Sequence, residues 1–162
     1  MLSLSEISLR LRRAVMYSAV LLRAVVSRSQ RSLLREVFAL GRSLPERLES
    51  PLPEALAALT PAAASSAVAP AAIRRLVDAA CALGAGRPLG ICLRRSLLRY
   101  YFLRRAGLPL VIHFGARRLG EAVAGHAWLT LQGQSYHENP AHVLPHTLMW
   151  SYPSPAGPEP SL

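Results

Sequence analysis

The stretch from Gly90 to Glu138 constrains the fold more than any other part of the chain. Residues 92–106 have the apolar spacing of a helix, and Gly107 is a natural end for it. Residues 108–114 and 124–131 are short and either apolar or alternating, which is typical of strands. A helix followed directly by a hairpin of strands predicts an α+β fold, in which the helix packs on a small antiparallel sheet.

A third strand is expected at residues 134–138, and its register decides where Glu138 lies. On the second strand, His126 and Trp128 share one face, while the apolar residues between them share the other. Glu138 reaches the face of His126 only if the hairpin loop has an odd number of residues. We therefore predict the loop Gln132-Gly133-Gln134, which places Glu138 opposite Trp128 and diagonal to His126.

The N-terminal half is helical in pattern. Residues 3–38 predict one or two helices that stop near Gly41, and further helices are expected at 53–60 and 71–83, separated by an Ala/Ser-rich connection. In the first segment, the residues of one largely apolar face recur every three or four positions, at Leu4, Ile7, Leu11, Val15, Ser18, Leu22 and Val25. Arginines fill its remainder. We expect this helix to pack on the domain rather than on anionic lipid, and its apolar part is too short to span a bilayer.

The composition bounds the size and partners of the domain. Of 162 residues, 51% are hydrophobic, which is enough for one real core. All 19 basic residues are arginine, and with 9 acids the formal charge is +10. This balance suits an anionic partner or an ordinary solvated surface, and the pattern alone does not choose between them. We divide the chain into a helical N-terminal region (1–70), a core (71–150) and a disordered proline-rich tail (151–162).

Cys92 has the setting of a reactive thiol. It lies in the first turn of the predicted helix, where unpaired backbone N–H groups and the positive end of the helix dipole favour thiolate over thiol. Arg94 and Arg95 add positive charge to the same turn. His126 begins the second strand, and Glu138 follows on the third. A cysteine nucleophile, a histidine base and an orienting carboxylate are the three parts of an activated-thiol site.

Each of these residues also has an ordinary structural interpretation. A lone cysteine is most often a small buried hydrophobe, as we expect for Cys81, and a lone histidine on a strand is more often structural than catalytic. Glu138 is the candidate carboxylate because Glu159, the only other acid after His126, lies in the tail. Two cysteines make no disulfide framework, so we expect reduced thiols and a cytoplasmic protein.

The remaining histidines do not predict a metal site. His137, His142 and His146 are interrupted by Pro140 and Pro145, and no cysteine or aspartate completes a set of ligands. We therefore expect neither a metal nor another cofactor.

Three blocks of sequence resemble a known family. They are Cys92-Leu93-Arg94-Arg95-Ser96-Leu97, then Leu103-Arg104-Arg105-Ala106-Gly107-Leu108-Pro109, and Gly125-His126-Ala127-Trp128-Leu129 with Gly133 after it. They look like the lasso peptide biosynthesis B2 proteins, which are bacterial leader peptidases among the transglutaminase-like cysteine hydrolases. The resemblance covers about residues 88–138. It implies a transglutaminase- or papain-like fold with Cys92 as nucleophile and His126 as base. The third member of the family's triad is commonly aspartate where this chain has Glu138, and an acid is usual where it has Thr130.

The resemblance also implies a reaction and partners. The reaction is cleavage of a lasso precursor peptide between its leader and core segments. A separate leader-recognition protein would deliver the precursor, and an ATP-dependent asparagine-synthetase-like cyclase would act next; we expect no nucleic acid. Two alternatives stay open: acyl transfer or deamidation by the same triad, and a non-catalytic arginine-rich module that binds a peptide, nucleic acid or a membrane.

Overall fold

The computed structural model describes residues 4–154, apart from the side chains of residues 4–10 and 13. Its helices are α1 (Leu4–Val26), α2 (Arg28–Arg47), α3 (Leu52–Ala58), α4 (Pro70–Ala82), α5 (Ile91–Arg105) and α6 (Pro140–Val143). Its strands are β1 (Leu110–Leu119), β2 (Ala122–Leu131), β3 (Gln134–Ser135) and β4 (Thr147–Tyr152). The helices predicted at 53–60, 71–83 and 92–106 are confirmed as α3, α4 and α5. Helix α4 begins at Pro70, a position where the helix has no use for the N–H that proline lacks.

The strands form one antiparallel sheet in the order β3-β2-β1-β4. β1 and β2 pair along their whole length, from Leu110 opposite Leu131 to Leu119 opposite Ala122. The predicted polar connection at 117–121 is therefore mostly strand, because β1 continues to Leu119 before the turn. β4 pairs with the other edge of β1, with a bulge between Phe114 and Gly115. With α5 packed on β1 and β2, the predicted α+β class is confirmed.

One hydrophobic core joins the helices to the sheet. Its largest fully buried side chains come from α2, α3 and its C-cap residue, α4, α5 and β1, and they are Leu44, Leu56, Leu59, Ile73, Leu76, Leu97, Leu98, Tyr100, Phe102, Leu103, Leu110 and Ile112. The helical region predicted at 1–70 thus shares a core with the region predicted at 71–150. The predicted boundary at 150 falls inside β4, which runs to Tyr152. Most of the predicted tail, at 155–162, lies outside the described residues.

The predicted helix stop at Gly41 is wrong. α2 continues through Gly41 to Arg47 and holds Pro45 in its last turns. Gly41 is buried, and a Cβ atom there would lie 2.8 Å from the backbone nitrogen of Gly86. Glycine at this position therefore allows α2 to approach the turn before α5 closely, and the local sequence does not show this tertiary role.

α1 packs on the domain as expected, but its apolar face does not make the contact. Ala24 is fully buried and Val20 packs against the core, so the helix docks by the side that carries them. On the other side, Leu11, Val15, Leu22 and Val25 are 60–69% exposed. The side chains of Leu4 and Ile7 lie outside the described residues. Within 4–154, no helix is both long enough and apolar enough to cross a membrane.

Candidate active site

Cys92 and His126 line the same cleft, which has a volume of about 370 Å³. The cysteine comes from the first turn of α5 and the histidine from the middle of β2. The other lining residues come from α5, the β-hairpin and the segment around α6, and they are Ile91, Arg95, Arg117, Ala124, Gly125, Ala141, His142 and His146. Two residues that are separated in sequence by a helix, a turn and a strand thus line one cleft, where the first turn of α5 lies near β2.

A gap in strand pairing allows α5 to approach β2. β3 pairs only with the end of β2, and the last backbone bond on that side is donated by the Tyr136 N–H to the carbonyl of Leu129. The Ala127 carbonyl points to the same side, because alternate carbonyls of a strand share a direction, but β3 does not extend far enough to pair with it. The Ser96 hydroxyl of α5 donates to that carbonyl at 2.8 Å. Ser96 lies one helical turn after Cys92, so this bond holds the cysteine's face of α5 against the residue next to His126.

The predicted odd loop after β2 is wrong. Leu131 pairs with Gln134, so the loop is the two residues Gln132-Gly133. Both have positive φ, 51° and 78°, as in the type I′ turn that matches the twist of paired strands. The third strand is also shorter than predicted, because it ends at Ser135 and His137 has a φ of 51°. Glu138 therefore lies beyond the strand, and hairpin parity does not set its direction.

Glu138 is held by arginines of α5. Its side chain is 4% exposed, and Arg95 Nη2 lies 2.6 Å from its Oε1. Arg99 lies 3.9 Å from its other oxygen and makes two short bonds to the buried carboxylate of Asp78 on α4. No sequence motif predicted this network, although an arginine and an aspartate among the apolar residues of two core helices were a signal for it. Glu138 is thus a carboxylate fixed beside the cleft by Arg95.

His126 is held without a bond to that carboxylate. Its Nε2 atom is buried and has no hydrogen-bond partner among the described residues. Burial lowers the pKa of His126, Glu138 opposes this by raising it, and the electrostatic effects of His146, Arg95 and His142 lower it further. The net direction is downward, so the ring is neutral at pH 7 and able to accept a proton.

The two cysteines have opposite surroundings. Cys81 is 1% exposed, and burial, assisted by the negative charge of Asp78, raises the pKa of its thiol to about 11. Cys92 is half-buried and lines the cleft. Arg94, which was expected to support Cys92, is buried and donates to the backbone carbonyl of Cys81 instead. Of these two free thiols, only Cys92 is open to a substrate.

A second imidazole on the same sheet has a structural role. His113 Nδ1 lies 2.7 Å from the Ser151 hydroxyl, and its Nε2 lies 2.8 Å from the Thr130 hydroxyl. Both ring nitrogens are therefore satisfied by neighbouring strands. Thr130, which stands where the resembled family usually has an acid, has its hydroxyl at this structural histidine.

Two other observations bear on the choice of site. A larger cavity of about 480 Å³ lies between α2 and residues 64–68, but the residues that line it include neither cysteine nor histidine. Among the side chains that the structure describes, no group of three or more histidines, cysteines and acids is arranged to hold a metal ion. The cleft beside Cys92 is therefore the candidate site for nucleophilic chemistry.

Comparison with known proteins identifies the family of the domain that contains this cleft. The model of the family described as the transglutaminase-like superfamily matches residues 19–151. No curated protein and no solved structure matches the chain. The family match covers the cleft as well as the helices from the end of α1 onward, so all the elements around Cys92 and His126 lie within the family's domain.

Proposed function

Because this chain belongs to the transglutaminase-like superfamily, we propose that it is a cysteine peptidase that removes the leader from a ribosomally made lasso peptide precursor. Membership of the superfamily indicates a cysteine-based catalytic domain. The choice of a lasso precursor rests on the sequence blocks around Cys92, Gly107 and His126. The observation that carries the enzymatic part is that Cys92 and His126 line one cleft.

The first half of the reaction forms an acyl-enzyme. His126 accepts the proton of the Cys92 thiol, and the sulfur attacks the scissile carbonyl carbon. The backbone N–H of Cys92 lies in the first turn of α5, where helix geometry provides no acceptor, so it is free to donate to the oxyanion. His126 then returns the proton to the leaving nitrogen of the core segment. The leader remains attached to Cys92 as a thioester.

The second half of the reaction releases the leader. His126 takes a proton from water, the resulting hydroxide attacks the thioester, and the leader departs as a carboxylic acid. The C–S bond breaks, and the sulfur recovers its proton from His126. No group other than water is consumed.

Glu138 has an electrostatic part in this proposal. Its carboxylate raises the pKa of His126, so it stabilises the imidazolium that forms in both half-reactions. Arg95 holds the carboxylate of Glu138 with a hydrogen bond of 2.6 Å, and its positive charge partly offsets the negative charge of that carboxylate. We assign Glu138 as the third member of the site on this electrostatic ground.

The partners in this proposal follow from the resemblance to the lasso peptide B2 proteins. The substrate is the lasso precursor, a separate protein recognises its leader, and an ATP-dependent asparagine-synthetase-like cyclase uses the liberated core. We place the reaction in the cytoplasm, where the two free thiols remain reduced.

Incubation of the purified protein with a precursor and its recognition protein tests the proposal. Mass spectrometry should show a free leader and a free core with wild-type protein and neither product with Cys92→Ala. Cys81→Ala is the matched control, since that thiol is buried and outside the cleft, and it should release the leader. Leader release by Cys92→Ala would reject Cys92 as the nucleophile.

Acyl transfer is the second candidate, and the description of the matching superfamily favours it. The thioester would then be resolved by an amine rather than by water. Addition of a primary amine to the same assay separates the two activities: a leader whose mass includes the amine indicates acyl transfer, and a leader with a free carboxyl terminus indicates a peptidase. If neither product forms and the protein binds unrelated DNA with strong salt dependence, the non-catalytic arginine-rich alternative is favoured.

A further inference from the structure

We propose that His146 is a positioning residue for His126, and that its ring and that of Trp128 hold the imidazole between them. This inference rests on the proposed role of His126 as the base at Cys92. It assigns a role in the reaction to a histidine that the sequence did not predict as part of the site or as a metal ligand.

Ring contacts place His126 between two neighbours. The ring centroids of His126 and His146 lie 5.0 Å apart, with 27° between the planes. Those of His126 and Trp128 lie 6.0 Å apart, with 16° between the planes. Trp128 in turn stacks on His113 at 5.4 Å and 22°. Each neighbouring pair of rings is therefore stacked, in the order His113, Trp128, His126 and His146.

The register of β1 and β2 explains the stack. His113 is opposite Trp128, and Gly115 is opposite His126, all on one face of the sheet. A Cβ atom on Gly115 would lie 2.8 Å from the Trp128 ring, so the indole crosses diagonally above this glycine. These two pairs form the corners of a rectangle on that face. A ring that runs along the diagonal from Trp128 to Gly115 lies between the other two corners, His113 and His126. Trp128 thus lies against one side of His126 and leaves the other for His146.

The backbone on both sides of His146 holds its ring in place. The residue after it, Thr147, starts β4 and pairs with Ala116 of β1. The His146 N–H donates to the Val143 carbonyl at 2.9 Å, closing the turn that follows α6. The side chain of Asn139 caps α6 by accepting from the Ala141 N–H at 3.0 Å. His146 therefore enters the cleft from an anchored segment.

Hydrogen bonds do not duplicate the role of the ring contacts. Nε2 of His126 and Nδ1 of His146 are both buried and without partners among the described residues. An imidazole that has no bond at Nε2 to fix it depends on packing for its rotamer, and a base that is misplaced by about 1 Å loses much of its rate. The stack supplies the orientation that a bonded carboxylate gives in a complete triad.

The charges around His126 come from several elements and must be separated from the ring contact. Glu138 is the negative group near it, and the other titratable or charged groups of the site are Cys92, Arg95, Arg117, His142 and His146. Among these, His146 is the group whose ring stacks on His126. His146→Phe removes its charge and keeps a ring, whereas His146→Ala removes both.

Nuclear magnetic resonance titration of the His126 ring, with leader release measured in parallel, tests the proposal. We expect the pKa of His126 to rise in both variants, because the electrostatic effect of His146 lowers that pKa in the wild-type protein. We expect kcat for leader release to fall about tenfold in His146→Ala, with KM little changed, and to stay within about threefold of wild type in His146→Phe. His142→Ala removes a nearby charge without a stacked ring, so its pKa shift should come without the fall in kcat.

The titration decides the inference even if the proposed function fails. Loss of all leader release in wild-type protein would count against the proposed function, but the titration of His126 would still report its contact with His146. An unchanged His126 titration in His146→Ala, with wild-type thermal unfolding, would overturn the inference. Equal kcat in the Ala and Phe variants would also overturn it, since the ring would then have no positioning role.

Discussion

Two imidazoles lie against Trp128, and they differ in what their ring nitrogens contact. His113 has a hydroxyl at each nitrogen, Ser151 at 2.7 Å and Thr130 at 2.8 Å. His126 has no partner for its buried Nε2 among residues 4–154, and it lines the cleft that contains Cys92. Burial lowers the pKa of both rings, so both are neutral at pH 7. A low pKa is thus common to both rings, and what separates them is that His126 has an unbonded ring nitrogen and lines the same cleft as Cys92.

Replacement of each histidine by alanine gives the largest expected contrast. His126→Ala should lower leader release by about 10²- to 10⁴-fold, the usual contribution of a general base. His113→Ala should instead destabilise the fold by about 1–3 kcal/mol, because it leaves two hydroxyls without their partner, while activity per folded molecule falls far less. Activity assays with thermal unfolding of both variants measure this. Equal losses of activity at equal stability would remove the distinction between the two rings.

Glu138→Gln sharpens the comparison through pH. The carboxylate raises the pKa of His126, so its removal should lower that pKa further. The neutral base then persists to lower pH, and the acid limb of kcat/KM should move to lower pH. At the same time kcat should fall about tenfold, a loss of about 1.4 kcal/mol, because the imidazolium is less stabilised. A limb that stays in place, or moves to higher pH, would show that Glu138 does not act on His126.

Gly115→Ala tests whether the ring between the two histidines needs its present place. The new Cβ would lie 2.8 Å from both the Trp128 ring and the Thr147 carbonyl oxygen, so the indole must shift. We expect a loss of stability of about 1–3 kcal/mol, as for overpacked cores, and a severalfold fall in kcat. A change in the fluorescence of Trp128 should accompany the loss of stability and the fall in kcat. Wild-type fluorescence and activity would mean that the indole does not fix His126.

Ser151→Ala should have the smallest effect and should be confined to His113. Loss of the hydroxyl leaves Nδ1 without its bond and costs about 1 kcal/mol of stability. Leader release per folded molecule should not change, since Ser151 is outside the cleft. Chemical denaturation measures the first effect and the peptidase assay the second. A large loss of activity would show that the two ends of the stack are coupled.

Much of the fold could be predicted because the signals were local. Neighbouring residues alone specify several elements. The spacing of apolar residues predicts α4 and α5, the glycine after α5 predicts its end, and the alternation of side chains predicts β2. The prediction at Gly41 was wrong because glycine is needed there for the close approach to Gly86, which is distant in sequence. The predicted length of the loop after β2 was wrong because Gln132 takes a positive φ, which few residues other than glycine adopt.

The candidate site could be predicted only in part, for the same reason. Cys92 and His126 carry local signals, a helix start and a strand start, and the structure brings them to one cleft. The bond of Glu138 to Arg95 depends on where β3 ends, which the alternation of residues 134–138 does not show. His146 follows a proline-rich segment without periodicity, so no sequence pattern indicated that its ring would stack on His126.

The central claim is that Cys92 attacks with the help of His126, and alkylation of the thiols tests it most directly. Iodoacetamide at neutral pH should modify Cys92 and abolish leader release in proportion to the label, while Cys81, with a thiol pKa of about 11, stays unmodified. The rate of labelling should fall in His126→Ala. Full leader release by protein labelled completely at Cys92 would contradict the account.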